Sequence, residues 1–272
     1  MSNVTIVSCY NNEKMYQDFV STLKAQTCPC EIIGIDNRGN KAFTSCAGAY
    51  NSVIERVRTK YVIYSHQDIL LKGSDCLEKF VGFLEGLGRE DILGVAGVRF
   101  DVPGTYANFM HLNKATGEMV KAGWNQFEGG IMECDTVDEC FFGGRTEHFR
   151  ENPFDEVVCD DWHLYAAEAC LNTKSNYVKG GGHVYICDIN LAHISDGSIN
   201  FPFIKGFCKL CRKYAEDFPY ISVTCDYSKT DNFHLFLYVL RHYVYDKLPK
   251  PVRKFIMSAV CYYRRKDLPK RE

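Results

Sequence analysis

VTIVSCYNNE (residues 4–13), EIIGIDNRGN (31–40) and KYVIYSHQDILL (60–71) share one rhythm, a short apolar run that breaks into polar, acidic or amide residues. Parallel strands in an open α/β sheet are buried on both faces and read as continuous apolar runs, and whatever follows their carboxyl ends lines a common crevice. Strands are therefore expected at Val4 to Ser8, Ile32 to Ile35 and Tyr61 to Tyr64. Tyr10, Asn11, Asn12, Asp36, Asn37, His66, Gln67 and Asp68 would then converge on one cleft, with Ser8 closing its first strand. Between the strands, Glu13 to Gln26 carries Met15, Phe19, Val20 and Leu23 at helical spacing, and Cys46 to Arg58 groups Ala49, Val53 and Val57 in the same way. The order βαβαβ favours a right-handed, mostly parallel central sheet flanked by helices, a Rossmann-like α/β fold. Any doubly wound domain shares that order. The polar breaks add the layout of a nucleotide-diphosphate-sugar site.

Composition bounds the function classes. The chain has 272 residues, 46% hydrophobic and 14% aromatic, enough for one large domain or a domain with an appendage. A formal charge of −2 argues against nucleic acid as the main partner, because a phosphate-tracking surface shows as a basic excess. No apolar run approaches the ~18 residues of a membrane span, and the opening residues lack the pattern of a secretory signal, so a cytoplasmic chain is expected. Of the 14 cysteines, only CPC (28–30) and CKLC (208–211) are closely spaced, short of the two pairs a structural zinc site needs, so reduced thiols acting as small hydrophobes are expected.

The HQD triplet (66–68) follows an apolar strand, so Asp68 would emerge at the sheet's carboxyl edge beside Asp36, where a carboxylate can hold Mg²⁺ or Mn²⁺ against a diphosphate. The competing reading has Asp68 capping the next segment and His66 packed in the core. Further on, Ile92 to Phe100 reads as another buried strand, while 103–130 is rich in Gly, Asn and aromatics without clean periodicity, as an acceptor-side loop would be. Met132 to Phe142 reads as a strand ending in FFGGR, so Gly143 and Gly144 could let backbone approach a donor sugar or acceptor, or simply form a tight turn.

SCYNNE (8–13), AYNSVIERVRTKYVIYSHQDILL (49–71), FDEVVCDDWHLYAAEACL (154–171) and NLAHISDGS (190–198) occur in that order over about residues 3 to 200. Together they resemble the family-2-like glycosyltransferases, in particular a subgroup with an HQD-type triplet in place of DxD. The resemblance implies a GT-A fold over residues 1–200, with a nucleotide-sugar half (1–100) and an acceptor half (101–200), and leaves 201–272 as a helical, basic C-terminal extension. It implies inverting, divalent-metal-assisted transfer from a nucleotide-diphosphate sugar to a glycan or lipid-linked acceptor, in polysaccharide biosynthesis. By the same resemblance, Ser8, Tyr10 and Asn11 line the nucleotide pocket, Asp36 receives the base or ribose, Asn51 faces the pocket from its helix, and His66, Gln67 and Asp68 take the DxD place. Asp68 would be the metal ligand, joined by His193, which follows the strand expected over Val184 to Ile189 and comes just before a turn at Asp196 and Gly197. The Glu-Asp pair of many relatives falls on Tyr165 and Ala166, which cannot accept a proton. The acids nearby are Asp160 and Asp161, before WHLY at what reads as a helix amino terminus, where Asp is also a favoured cap. Asp161 is taken for the chemistry and Asp160 for the cap, with Glu168 a weaker candidate. Trp162 and His163 face the acceptor side of the cleft on one helical phase and the core on the other.

Phe201 to Tyr214 and Phe233 to Tyr245 read as helices, and 247–271 carries Lys247, Lys250, Arg253, Lys254, Arg264, Arg265, Lys266, Lys270 and Arg271 against the single acid Asp267. Interleaved with the aromatic run Val252 to Tyr263, this segment suits peripheral contact with an anionic membrane at its inner face, or a helix packed on its own domain with a solvated basic end. Two further readings of the chain stay open: a catalytically silent nucleotide-sugar or glycan-binding module, and a nucleotidyltransferase, which would want a Gly-rich basic loop that the first strand does not supply.

Overall fold

The computed structural model describes residues 2–113, 116–175, 181–194, 199–245, 249 and 251–252. In chain order it runs β1 (Val4–Tyr10), α1 (Glu13–Lys24), β2 (Glu31–Asp36), α2 (Cys46–Asn51), β3 (Tyr61–Ser65), β4 (Ile69–Leu71), α3 (Cys76–Glu85), β5 (Ile92–Gly94) and β6 (Ala96–Arg99). It continues as β7 (Val102–Ala107), β8 (Met110–Asn113), β9 (Glu118–Lys121), β10 (Ile131–Cys134), β11 (Thr136–Val137), β12 (Phe141–Arg145), α4 (Thr146–Glu151) and α5 (Tyr165–Ser175). β13 (Val184–Cys187), β14 (Leu191–His193), α6 (Phe201–Lys213), β15 (Tyr220–Ser222), β16 (Tyr227–Lys229) and α7 (Asn232–Tyr245) follow.

The three apolar runs form adjacent strands at one side of a seven-stranded sheet ordered β10-β13-β5-β12-β3-β1-β2. β1 pairs in parallel with both β2 and β3, as the βαβαβ order requires. Beyond β3 the sheet turns mixed. β12 enters antiparallel between β3 and β5, β13 runs parallel to β5, and β10 closes the far edge antiparallel to β13. The large, mostly parallel α/β sheet flanked by helices stands as expected, with β12 and β10 running against the other five strands.

The glycines of FFGGR explain how β12 fits. Gly143 and Gly144 are buried in the middle of the sheet, where a Cβ on Gly143 would fall 2.1 Å from the Val62 carbonyl oxygen and one on Gly144 2.7 Å from that of Asp91. They are a packing requirement of the sheet centre, so the donor or acceptor role expected for them gives way to close backbone approach between strands.

Other expectations change for local reasons. The helix expected over Cys46 to Arg58 stops at Asn51, leaving one 3₁₀ turn at Ile54–Arg56. The strand expected over Ile92 to Phe100 divides at Val95, sending β5 to the central sheet and β6 to a small sheet with β7 and β11. The stretch 103–130 is not an irregular loop. It supplies β7, β8 and β9, whose half-exposed residues give no clean alternation and whose chain takes positive φ at Gly104 within β7 and at Gly117 and Gly123 in the connections. β8 and β9 join β4 and β14 in a four-stranded sheet beside the cleft.

Buried side chains fill both faces of the central sheet. On one face Tyr64 lies within 4.7 to 5.5 Å, centroid to centroid, of Tyr50, Phe142, Phe149 and Phe154. On the other, Ile6, Phe19, Tyr61, Phe80 and Phe141 pack together. α6 and α7 share the first of these cores through Phe207, Leu210, Leu235 and Tyr238. α7 is anchored by the buried Asp226, which accepts from Tyr238 Oη at 3.0 Å and pairs with Arg241 at 2.6 Å and His242 at 2.8 Å. Among the described residues no helix is long and apolar enough to cross a membrane, and the described cysteines are free thiols, with the CKLC pair buried in α6.

Gly143→Ala forces a methyl group against the β3 backbone. It is expected to destabilise the fold by about 3 kcal/mol or more, read as a lower urea midpoint with unchanged slope; an unchanged midpoint would show that β12 can shift to make room.

Candidate active site

A cleft of about 960 Å³ opens where β1 and β3 end, roofed by β7 to β9 and by residues 138–139, 162–167 and 223–225. Tyr10, Asn11, His66, Gln67, Asp68, Trp162, His163 and His193 all line it, so sequence positions far apart do converge.

At the β1 end, Gln67 joins the two strand exits. Its Oε1 accepts from the amides of Asn11 at 3.0 Å and Asn12 at 2.8 Å, and its Nε2 donates to Asn11 Oδ1 at 2.8 Å. Asn12 in turn caps α1 by accepting from Met15 N at 3.1 Å. Tyr10 stacks flat on Tyr16, centroids 4.0 Å apart, and Gly34 makes room, since a Cβ there would meet Tyr16 Oη at 2.2 Å. Asp36 is exposed at the end of β2 and does not line the cleft. Both its oxygens are engaged by Arg38, whose hydrogen bonds hold the carboxyl below its usual range. Asn37 lines the cleft in its place and shapes the 37–43 loop, accepting from Phe43 N at 2.9 Å.

The HQD end gathers three ligand-type side chains. β4 pairs antiparallel with β14, setting His193 opposite Ile69, and Ile194 N donates to Asp68 O at 3.0 Å. His193 Nε2 thereby lies 3.4 Å from Asp68 Oδ1, with His66 Nδ1 4.0 Å from the same oxygen. One ligand atom from each of the three falls within 4.8 Å of the others. Behind them, Tyr165 Oη donates to the Glu139 carbonyl at 3.5 Å and meets His66 Nε2 at 3.0 Å. An Nε2–H tautomer of His66 would donate to the Tyr165 oxygen and leave the Nδ1 lone pair toward Asp68. Burial pushes the His66 imidazole below its usual pKa, against the pull of Asp68, so the neutral ligand form is favoured. Two imidazoles and a carboxylate form a donor set that Mn²⁺ and similar ions accept, so the residues fit the metal that the resemblance implies. Asp196 and Gly197, expected as a turn after His193, lie outside the described residues.

The opposite wall holds an acid pair that the sequence reading passed over. Asp138 accepts from Thr224 Oγ1 at 2.6 Å and from Cys140 N at 3.0 Å. Burial would raise its pKa, but the Thr224 hydrogen bond and the facing His193 and His66 outweigh burial and hold it low. Glu139 goes the other way, pushed well up by burial and by Asp138 beside it. Its Oε1 accepts from Leu164 N, and its Oε2 lies 3.9 Å from His163 Nδ1. The signal was present in TVDEC (136–140), a short β run followed by acids, the same rhythm that marked the first three strands.

The expected helix start at 160–161 is corrected. α5 begins at Tyr165, and 161–164 form a bend in which Leu164 takes a left-handed φ of 74°, a conformation that costs a branched side chain energy. Glu139 and not Asp160 serves the amide before the helix. Asp160 points away from the cleft into ion pairs with Lys205 at 3.0 Å and Lys209 at 2.7 Å. Asp161 is half-buried and does not itself line the cleft, although its neighbours Trp162 and His163 do, and its carbonyl accepts from Cys46 N at 3.2 Å. Glu168 is buried in an ion pair with Lys213 at 2.6 Å. Asn51 is a structural clamp, bonded to the Phe154 backbone through Oδ1 at 3.0 Å and Nδ2 at 2.9 Å, and Ser8 is buried inside β1 between its two neighbours; neither reaches the cleft.

Residues 5–181 match the profile of a family described as glycosyltransferase like. No curated protein sequence matches the chain. Residues 1–349 of TarS from Staphylococcus aureus, solved with UDP-GlcNAc, superpose with a TM-score of 0.56 at 13% identity, covering 79% of this chain and 66% of that one. GalNAc-T7, solved with UDP, GalNAc and Mn²⁺, superposes at 0.57 with 12% identity, covering 99% of this chain and 58% of that one. The chain thus spans less than two thirds of these solved chains, and at such identities the likeness is one of fold, that of the GT-A glycosyltransferases.

Gln67→Leu keeps the side-chain volume and removes three hydrogen bonds between the strand exits. It is expected to cost about 1–2 kcal/mol and to raise amide exchange at Asn11 and Asn12; unaltered exchange there would show that the loop holds itself.

Proposed function

The chain belongs to the glycosyltransferase-like family, and from that footing we propose that it moves a sugar, with inversion, from a nucleotide-diphosphate donor to a hydroxyl of a glycan or lipid-linked acceptor during polysaccharide assembly. The observation that carries the reading is the convergence of His66, Asp68 and His193 at the carboxyl end of β3, inside the cleft. His66, Asp68 and His193 would hold Mn²⁺ or Mg²⁺, which when bound neutralises charge on the departing nucleoside diphosphate. Residues 1–100 supply the donor end, with Tyr10, Asn11 and the Gln67 staple shaping the loop that meets the nucleotide. Residues 101–200 supply the acceptor end, and 201–272 the extension behind it. The two solved neighbours bind UDP or a UDP-sugar, which favours a uridine donor here.

In the reaction the acceptor oxygen bonds to the anomeric carbon while the bond from that carbon to the diphosphate oxygen breaks, and the acceptor proton passes to a carboxylate. Asp160 is committed to two lysines, which leaves Asp161, half-buried next to the lining residues Trp162 and His163 though not itself on the cleft wall, as the proposed base. Glu139 is the second reading, because it lines the cleft and burial raises its proton affinity. For the membrane, α7 exposes Phe233, Phe236, Leu237, Leu240 and Tyr243 along one side, just before the basic sequence 247–271. An apolar stripe beside a basic run supports peripheral contact with anionic lipid; apart from 249 and 251–252 that run lies outside the described residues.

A thermal-shift panel of uridine, guanosine, thymidine and cytidine diphosphates, with and without Mn²⁺, tests the donor site. Stabilisation by UDP that requires Mn²⁺ and disappears in Asp68→Ala is expected; silence with every nucleotide would leave only a borrowed fold. Once turnover is measured, Asp161→Asn should lower kcat about 100-fold or more, and an intact Asp161→Asn with an inactive Glu139→Gln would move the role to Glu139. Sedimentation with phosphatidylglycerol vesicles should carry the chain down, and Phe233→Ser with Phe236→Ser should release it, whereas equal binding to phosphatidylcholine vesicles would count against the basic run.

A further inference from the structure

The chain has two tryptophans, Trp124 and Trp162, and both line the cleft. They are held differently. Trp162 is half-buried against the main core, while Trp124 is 83% exposed. A large aromatic left this bare at the edge of a polar cleft is a candidate contact surface, because water is a poor solvent for its faces.

Trp124 is not on a loose loop. Its amide donates to Thr105 O at 2.9 Å, and the next amide, of Asn125, donates to the same oxygen at 3.0 Å. Asn125 Nδ2 donates to Pro103 O at 2.9 Å. Two glycines clear the space around the turn. Gly123 has φ 80°, and a Cβ on it would fall 2.8 Å from Thr105 O; Gly104 has φ 97°, and a Cβ on it would come 3.2 Å from Trp124 Cβ. Thr105 Oγ1 then donates to Thr224 O at 2.8 Å, and Thr224 Oγ1 donates to Asp138 at 2.6 Å. A short chain of hydrogen bonds therefore fixes the backbone that carries the bare indole relative to the acid pair of the cleft wall.

We propose that Trp124 is the stacking platform for a pyranose ring of the acceptor glycan. One face of a pyranose presents a patch of polarised C–H groups, which matches the negative face of an indole, while the ring's hydroxyls stay at the edge. Lys121 and Asn113 line the cleft on the same β8–β9 side, where polar groups can meet those hydroxyls. A rigid aromatic on a hydrogen-bonded turn loses little conformational freedom when it binds. The inference rests on the transfer reading above and names the chemistry of its acceptor subsite as saccharide.

Trp162→Phe leaves Trp124 as the sole tryptophan, so its emission reports this position alone. Titration with cellotriose, maltotriose, chitotriose and lactose, with sorbitol as an acyclic polyol control and UDP as a nucleotide control, is expected to give a saturable blue shift with at least one oligosaccharide and none with sorbitol. Calorimetry with that oligosaccharide should show binding at least tenfold weaker in Trp124→Ala and partly restored in Trp124→Phe. If Trp162→Phe fails to fold, the natural chain labelled with 5-fluorotryptophan gives two fluorine resonances that serve the same purpose. A shift with UDP alone, no response to any saccharide, or undiminished binding in Trp124→Ala would overturn the platform. Nucleotide stabilisation with Mn²⁺, measured on the natural chain in parallel, separates the failures: if it persists while Trp124 is silent, the platform alone is wrong, and if both are absent the transfer reading has failed with it.

Discussion

The antiparallel seating of β12 against β3 positions most of the cleft. Phe141 pairs with Ser65, and one residue beyond, His66 N donates to Cys140 O at 2.9 Å. That register sets Asp138 and Glu139 across from the HQD triplet, and the Glu139 carbonyl against the phenol that orients His66. The seat exists because Gly143 and Gly144 carry no Cβ where the neighbouring backbones come within 2.1 and 2.7 Å of that position. A glycine pair buried in the sheet thus governs the site indirectly, by fixing how far β12 advances along β3.

Much of the cleft where β1 and β3 end was legible in the sequence because it follows from a rule about strand ends. Tyr10, Asn11, His66, Gln67 and Asp68 come directly after apolar strands, and their convergence needs only parallel β1 and β3. His193 was legible for a related reason, a polar residue after a short apolar strand. The β7 to β9 side of the cleft was not legible, since it depends on pairings that cross long stretches of chain. β7, β8 and β9 are half-exposed, so neither a period of two nor an apolar run marks them, and their turns are held by glycines at positive φ. Asn51 shows the converse error: it lies on the expected helix, yet a clamp to Phe154 uses it, and only the tertiary contact reveals that.

The bend at 161–164 shows how the two ends are joined. DDWH reads as a helix start because aspartates favour that place, but here a carboxylate distant in sequence serves the amide at Leu164, and both aspartates stay outside the helix. Asp160 is drawn off by Lys205 and Lys209 on α6, whose faces the sequence could not pair with it. The left-handed φ of Leu164 is affordable because its side chain is 3% exposed in the core and its amide is tied to Glu139.

Stiffness differs in origin across the cleft. Where β1 and β3 end it comes from local hydrogen bonds between adjacent strand exits, such as those of Gln67, and the loop can be held before any ligand arrives. On the β7 to β9 side it comes from a relay through Thr105, Thr224 and Asp138, whose links are separated by 119 and 86 positions in sequence. Local staples re-form easily after a fluctuation, whereas a relay through distant segments holds only while the small sheets around it stay docked. Opening should therefore begin among β7, β8 and β9, while the exits of β1 and β3 remain set.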